Sequence, residues 1–214
     1  MALIKSIAGN EVCDQTARNS INNLDIGGTN LARYTNQGAS KWGWSMRVGD
    51  VSCSEVVENG IRTVKMTRGS TVQSGWSVIE YHDIGRDKWE ANTTYTVSME
   101  CKSSVGNVGF KLSILEGNGT NPLHHSVTSI NNVIKTANTW TKLAWIVKSV
   151  SSLPSSTDQY VYLSGMNNDT GVWYQFKNLK IEKGNKPTAW CPSPEDYTVK
   201  MTDDGAGNVT IKTL

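Results

Sequence analysis

Apolar and polar residues alternate along most of this chain, and the clearest alternation begins at Val172. There the apolar positions Val172, Tyr174 and Phe176 alternate with polar or amphipathic ones, the period of two expected for a strand with one buried and one exposed face. The alternation then shifts by one residue, so that Leu179 and Ile181 become the inward pair. This shift predicts a β-bulge near residues 177–178.

Similar short alternating segments recur between turns rich in Gly, Asn and Ser. Asn59-Gly60 separates two such segments and predicts a tight hairpin. Repeated short strands of this kind predict an all-β sandwich, although alternation alone does not distinguish a jelly roll from an immunoglobulin-like topology. The predicted segments are Val51 to Val57, Ile61 to Thr67, Tyr95 to Met99, Phe110 to Ile114, Thr141 to Val147 and Tyr160 to Leu163.

The two ends of the chain differ from this pattern. Small or apolar residues at spacings of four, four and three predict a short N-terminal helix, which either docks on the sandwich or forms the last turns of a trimeric stalk. The C-terminal alternation predicts an exposed hairpin that needs a sheet edge or another subunit to pair with. We therefore divide the chain into a helical segment at 1–25, a sandwich at 26–196 and a hairpin at 197–214.

Composition excludes several classes of function. A net charge of +2 and no basic run argue against nucleic acid as a partner, and no apolar stretch is long enough for membrane insertion. The first residues lack the charged and apolar pattern of a secretory leader, so an unsecreted protein is expected. The four cysteines and three histidines are scattered, so neither a metal site nor a cofactor is expected. Reduced thiols are favoured, with a bridge between Cys53 and Cys101 as the alternative.

Three motifs resemble those of a known family. The final strand and its continuation contain Leu179, Ile181, Glu182, Gly184, Thr188, Trp190, Pro192, Pro194, Glu195 and Asp196. Together they are similar to the "Leu-x-Ile-Glu-x-Gly" and "Thr-x-Trp-x-Pro-x-Pro-Glu-Asp" that close the jelly-roll, carbohydrate-binding-module-like domains of bacteriophage tail and minor structural proteins. Asn23-Leu-Asp-Ile-Gly-Gly-Thr-Asn-Leu31 resembles the beginning of these domains, and Asn92-Thr-Thr-Tyr-Thr-Val-Ser98 resembles an internal strand.

The resemblance implies a jelly-roll β-sandwich in a phage or prophage virion tail, produced in the host cytoplasm, that binds bacterial surface glycans and other tail proteins. A homotrimer is one expected assembly. The alternatives are a purely architectural tail-fibre domain without sugar binding, and an ancillary module of a polysaccharide-degrading enzyme. We expect no catalysis, since no spacing forces two carboxylates to face each other. The calcium site of related secreted modules uses an acidic residue where this chain has Asn178.

The candidate sugar-binding residues are mostly aromatic. Eight tryptophans against two phenylalanines is an unusual balance, because indole rings offer flat faces for stacking and a donor that needs a partner. Strand parity and loop position select candidates that could line one concave sheet, or else pack against another subunit. They are Trp42, Trp44, Trp76, Glu80, His82, Tyr160, Tyr162, Trp173 and Gln175. Structural roles are predicted for Trp89 as a lid over the core, Trp140 as a strand-start anchor, and Trp145 and Trp190 as packing residues.

Overall fold

A computed structural model describes residues 28–33, 35, 44–46, 51–70, 79–81, 88–116, 124–153, 159–164, 167, 169–196, 199–203 and 209–213. These residues form β-strands joined by turns and a 3-10 turn at Pro194–Asp196. The predicted N-terminal helix lies outside them. The strands are β1 (Trp44–Met46), β2 (Val51–Glu58), β3 (Ile61–Arg68), β4 (Ile79–Tyr81), β5 (Thr94–Ser103), β6 (Val108–Gly109), β7 (Lys111–Glu116), β8 (His124–Asn131), β9 (Val133–Ile134), β10 (Thr141–Ser149), β11 (Gln159–Ser164), β12 (Trp173–Lys183), β13 (Val199–Asp203) and β14 (Val209–Thr213).

Two antiparallel sheets form the sandwich. The six-stranded sheet has the order β2-β3-β12-β5-β10-β8, and the four-stranded sheet has the order β1-β4-β11-β7. One buried apolar cluster takes side chains from both, including Val97, Trp145 and Phe176 from the first and Leu112 and Leu163 from the second. Burial of these faces is the main driving force for the fold. The predicted all-β sandwich is confirmed.

The tight hairpin predicted at Asn59-Gly60 joins β2 to β3. All eight residues of β2 pair with β3, from Val51 opposite Arg68 to Glu58 opposite Ile61. Asn59 and Gly60 have φ angles of 52° and 78°, as a two-residue turn matched to the twist of the strands requires.

The final strand of the sandwich, β12, contains the predicted bulge. Tyr174 and Phe176, before the bulge, and Leu179 and Ile181, after it, are all buried in the core. The pairing with β5 shifts between Lys177 and Lys180. Asn178, within the shift, has a φ of 56°, a left-handed conformation that asparagine tolerates better than most residues.

The chain enters and leaves the sandwich beside this bulge. Asn30 is fully buried, and its amide Nδ2 donates to the carbonyls of Leu179 and Cys191 at 3.0 Å each. Its Oδ1 accepts from the backbone N–H of Ile181 at 3.0 Å. One side chain therefore joins the incoming segment, residues 28–32, to β12 and to the outgoing segment, residues 186–193.

Three of the tryptophans have the structural roles predicted for them. Trp145 is 1% exposed, and Trp89 is 4% exposed and packs edge-on against Tyr95 with ring centroids 4.4 Å apart. The indole Nε1 of Trp190 donates to the carbonyl of Leu179 and to Thr35 Oγ1, both at 3.2 Å.

The two C-terminal strands form the predicted hairpin, and three of the four cysteines lie in the described residues. β13 pairs with β14 over five residues, and in the described part these strands make a two-stranded sheet without a strand of the sandwich. Cys53, Cys101 and Cys191 are free thiols, so the alternative bridge between Cys53 and Cys101 is not formed. No helix among the residues described is long and apolar enough to cross a membrane.

Candidate functional site

The predicted site residues lie on two different sheets. Trp173 and Gln175 belong to β12 of the six-stranded sheet. The four-stranded sheet contains Trp44 on β1, Glu80 on β4, and Tyr160 and Tyr162 on β11. The hypothesis that one concave sheet carries both groups is therefore wrong, because strand order separates them. Trp42, Trp76 and His82 lie outside the described residues.

On the four-stranded sheet, the register sets two rows of backbone partners. Glu80 lies opposite Ser45 and Tyr162, and the Tyr162 side chain is 5% exposed. In the adjacent row Trp44 lies opposite Tyr81, which lies opposite the core residue Val161. Tyr160 is paired with Leu115 of β7.

The outer face of the six-stranded sheet gathers a cluster of aromatic and charged side chains. Phe176 pairs with Val64 and Cys101, and all three lie in the core. The adjacent row, with Gln175 between Lys65 and Lys102, must therefore face outward. This parity places lysines from β3 and β5 beside the Trp173 ring.

Two partly exposed indoles, Trp140 and Trp173, define this face. The Nζ of Lys65 lies 4.5 Å from the centroid of Trp173, and that of Lys177 lies 4.2 Å from the centroid of Trp140. Lys102 lies between the rings, with its Nζ 4.9 Å from Trp140 and 6.0 Å from Trp173. These cation–π contacts orient the rings on the sheet surface.

Trp140 was not among the predicted sugar-binding residues. It directly precedes β10, whose inward residues Leu143 and Trp145 have the opposite parity. This opposite parity is the feature of the sequence that could have predicted an outward-facing Trp140 ring. Its proximity to Lys102 and Lys177 depends on β12 and β5 being neighbours in the sheet, which the local sequence does not encode.

Polar groups beneath the rings form a connected network. Gln175, only 4% exposed, donates through Nε2 to Thr63 Oγ1 at 2.6 Å and to Glu58 Oε2 at 3.3 Å. Glu58 also accepts from Lys102 Nζ at 2.7 Å. The hydrogen bond and positive charge of Lys102, with a further hydrogen bond from Trp140, lower the pKa of Glu58. Gln175 is therefore a buried positioning residue rather than an exposed contact.

Two pockets lie on this face, and together we name them the groove. The first, of about 110 Å³, is lined by residues including Glu58, Trp140 and Lys177. The second, of about 360 Å³, is lined by Ser98, Met99, Glu100, Lys142, Asn178, Thr188, Ala189 and Trp190. An ion pair of 3.3 Å between Lys177 and Glu100 connects the two linings.

The groove has the components of a saccharide site. Indole faces stack on the C–H side of a pyranose, while amide, carboxylate and ammonium groups bond its hydroxyls. Asn178 donates through its Nδ2 to Glu100 Oε1 at 2.7 Å. Among the residues that the structure describes, no three His, Cys, Asp or Glu side chains converge as a metal site would require.

Comparison with solved structures shows the fold. An α-L-arabinofuranosidase, MgGH51, matches at a TM-score of 0.55 and 12% identity, over 73% of this chain and 26% of its own. The tandem CBM22-1-CBM22-2 domain of Paenibacillus barcinonensis Xyn10C matches at 0.50 and 17%, over 85% and 52%. The tripod from the baseplate of bacteriophage Tuc2009 matches at 0.48 and 18%, over 80% and 61%.

The first two matches confirm the carbohydrate-binding-module-like jelly-roll fold that the sequence motifs predicted. This chain spans about a quarter of the arabinofuranosidase and half of the tandem module. No family model and no curated protein matches the sequence.

Proposed function

We propose that this chain is a phage or prophage virion tail protein whose β-sandwich binds host surface glycans without catalysis. The observation that carries the proposal is the pair of partly exposed indoles, Trp140 and Trp173, on one outer sheet face with polar groups between them. Both rings remain partly exposed to solvent, although lysine ammonium groups lie over them. Such surfaces on a polar face are typical of ligand-binding sites.

The assignment to a virion tail is supported by the motifs at the two ends of the sandwich. In this proposal residues 1–25 form the stalk, 26–196 the adhesive sandwich and 197–214 a hairpin that contacts another subunit, with a homotrimer as the assembly. Each site is weak alone, and several copies on one virion raise the effective concentration for the second contact.

Binding to cell-wall polysaccharide purified from a candidate bacterial host tests the proposal. We expect Trp140→Ala and Trp173→Ala each to weaken binding by about tenfold, the loss typical of a central aromatic contact. Ile130→Ala is the matched control, because Ile130 is a 47% exposed apolar residue on the edge strand β8 of the same sheet.

Trp76→Ala reports on the other group of predicted residues. Loss of binding in this variant alone would place the site with Glu80 and Tyr162 instead of beside Trp140 and Trp173. Absence of binding to host polysaccharide by the wild-type protein would leave the architectural alternative, a tail domain that spaces its neighbours.

A further inference from the structure

The larger pocket of the groove lies between the sheet and the outgoing segment. Its walls include Lys142 of β10, Asn178 at the bulge, and Trp190 of the outgoing segment. The two hydrogen bonds of the Trp190 indole N–H hold that ring in place. A ligand therefore meets a preformed wall, which lowers the entropic cost of binding.

Within the described ranges, some of the charged side chains in and around the groove have an ion-pair partner and others do not. Glu100 has two partners: its Oε2 lies 3.3 Å from Lys177 Nζ, and its Oε1 accepts from Asn178 Nδ2 at 2.7 Å. Lys102 is similarly neutralised by Glu58 at 2.7 Å. The two carboxylates that line the groove, Glu58 and Glu100, thus each form an ion pair with a lysine of the sheet.

Lys142 has a different environment. Its exposed ammonium donates to the backbone carbonyl of Thr188 at 2.9 Å, and in the described part of the chain no carboxylate lies within ion-pair distance of it. An ammonium has three donors, so two remain directed toward the pocket or solvent. Lys65, beside Trp173 at the far end of the cluster, also has no carboxylate partner among the residues described.

From this imbalance we infer that the groove takes an acidic glycan, with a carboxylate or phosphate group of the sugar bound by Lys142. The inference rests on the proposed function and specifies its ligand. Lys65 and Lys142 belong to strands three places apart in the sheet, about 14 Å at ordinary strand spacing. A linear glycan of several residues crossing the sheet would meet both cations.

The test measures binding of a galacturonate trimer and of its fully methyl-esterified form, which has the same backbone without the charges. In isothermal titration calorimetry at low salt, the dissociation constant of the acid should be at least about fivefold lower than that of the ester. A difference of this size is expected from one partly exposed charged contact. Raising the salt should weaken binding of the acid only. A poly(glycerol phosphate) chain tests whether phosphate replaces carboxylate.

Lys142→Gln should reduce the preference for the acid, leaving only the contribution of Lys65. Lys148→Gln is the matched control, since Lys148 lies on the same strand with the same parity and also donates to a backbone carbonyl, that of Asn92, but does not line the groove. Equal affinity for acid and ester, or an unchanged preference in Lys142→Gln, would overturn the inference while leaving glycan binding intact. If no glycan binds, host polysaccharide included, both the proposed function and the inference are overturned.

Discussion

Thr188 donates two hydrogen bonds to Glu182, and this contact closes the domain. One carboxylate oxygen of Glu182 accepts from the backbone N–H of Thr188 at 2.8 Å, and the other accepts from the Thr188 hydroxyl at 2.5 Å. The Nζ of Lys180 donates to the same hydroxyl at 2.6 Å and lies 3.1 Å from Glu182. Glu182 also accepts from the N–H of Gly28 at 3.0 Å, so the contact fixes both ends of the sandwich.

Replacing Thr188 with valine should destabilise the sandwich by about 2 to 3 kcal/mol, because it leaves one buried donor and one buried acceptor without the hydroxyl between them. Urea denaturation followed by circular dichroism measures the free energy of unfolding. The control is Thr139→Val, at an exposed threonine whose hydroxyl donates to the carbonyl of Ala137 in its own turn. Equal stability of the two variants would show that the Thr188 hydroxyl contributes little.

The buried pair Lys180 and Glu182 should show strong coupling. Their side chains are 0% and 2% exposed, so Lys180→Met alone is expected to cost about 3 to 5 kcal/mol by leaving a buried carboxylate uncompensated. Adding Glu182→Gln to that variant should recover part of the loss. A double-mutant cycle from denaturation midpoints measures this coupling, and strictly additive losses would contradict it.

Glu58 should titrate below the ordinary range of a glutamate. Lys102 lowers its pKa in the folded state, so the stabilisation is fully present above the unfolded pKa and is lost as the pH falls through the lowered, folded value. Carbon-detected NMR titration of the carboxyl follows this directly. In Lys102→Met the pKa should return toward its usual value, and an unchanged pKa would assign the shift to another group.

Gly60 should resist substitution for reasons of backbone conformation alone. A Cβ at this position would meet no atom within 4 Å, yet the φ of Gly60 is 78°. Gly60→Ala is therefore expected to cost about 1 kcal/mol. Gly109→Ala is the matched control, because Gly109 has equal space without a positive φ, and thermal denaturation should show little change for it. Similar losses at both positions would indicate a cause other than conformation.

Local features of the fold were predictable because each depends on neighbouring residues. The Asn59-Gly60 hairpin follows from the φ preferences of two residues, and the bulge at Asn178 from a shift in alternation within one strand. The inward positions of Trp145 and Phe176 follow from the same period. The general fold was recognisable from the motifs that bracket the sandwich.

The residues of each strand that face the core, the positions of the turns and the fold that the end motifs resemble could thus be read from the amino-acid order alone. Three relationships required the folded chain: Trp140 lies near Trp173 on either side of Lys102, Glu80 and Trp173 belong to different sheets, and Lys142 lines a pocket beneath the outgoing segment. They could not be predicted because alternation sets the face of a residue within its own strand, whereas the neighbours across that face depend on strand order. Strand order results from packing residues far apart in the chain into one common core.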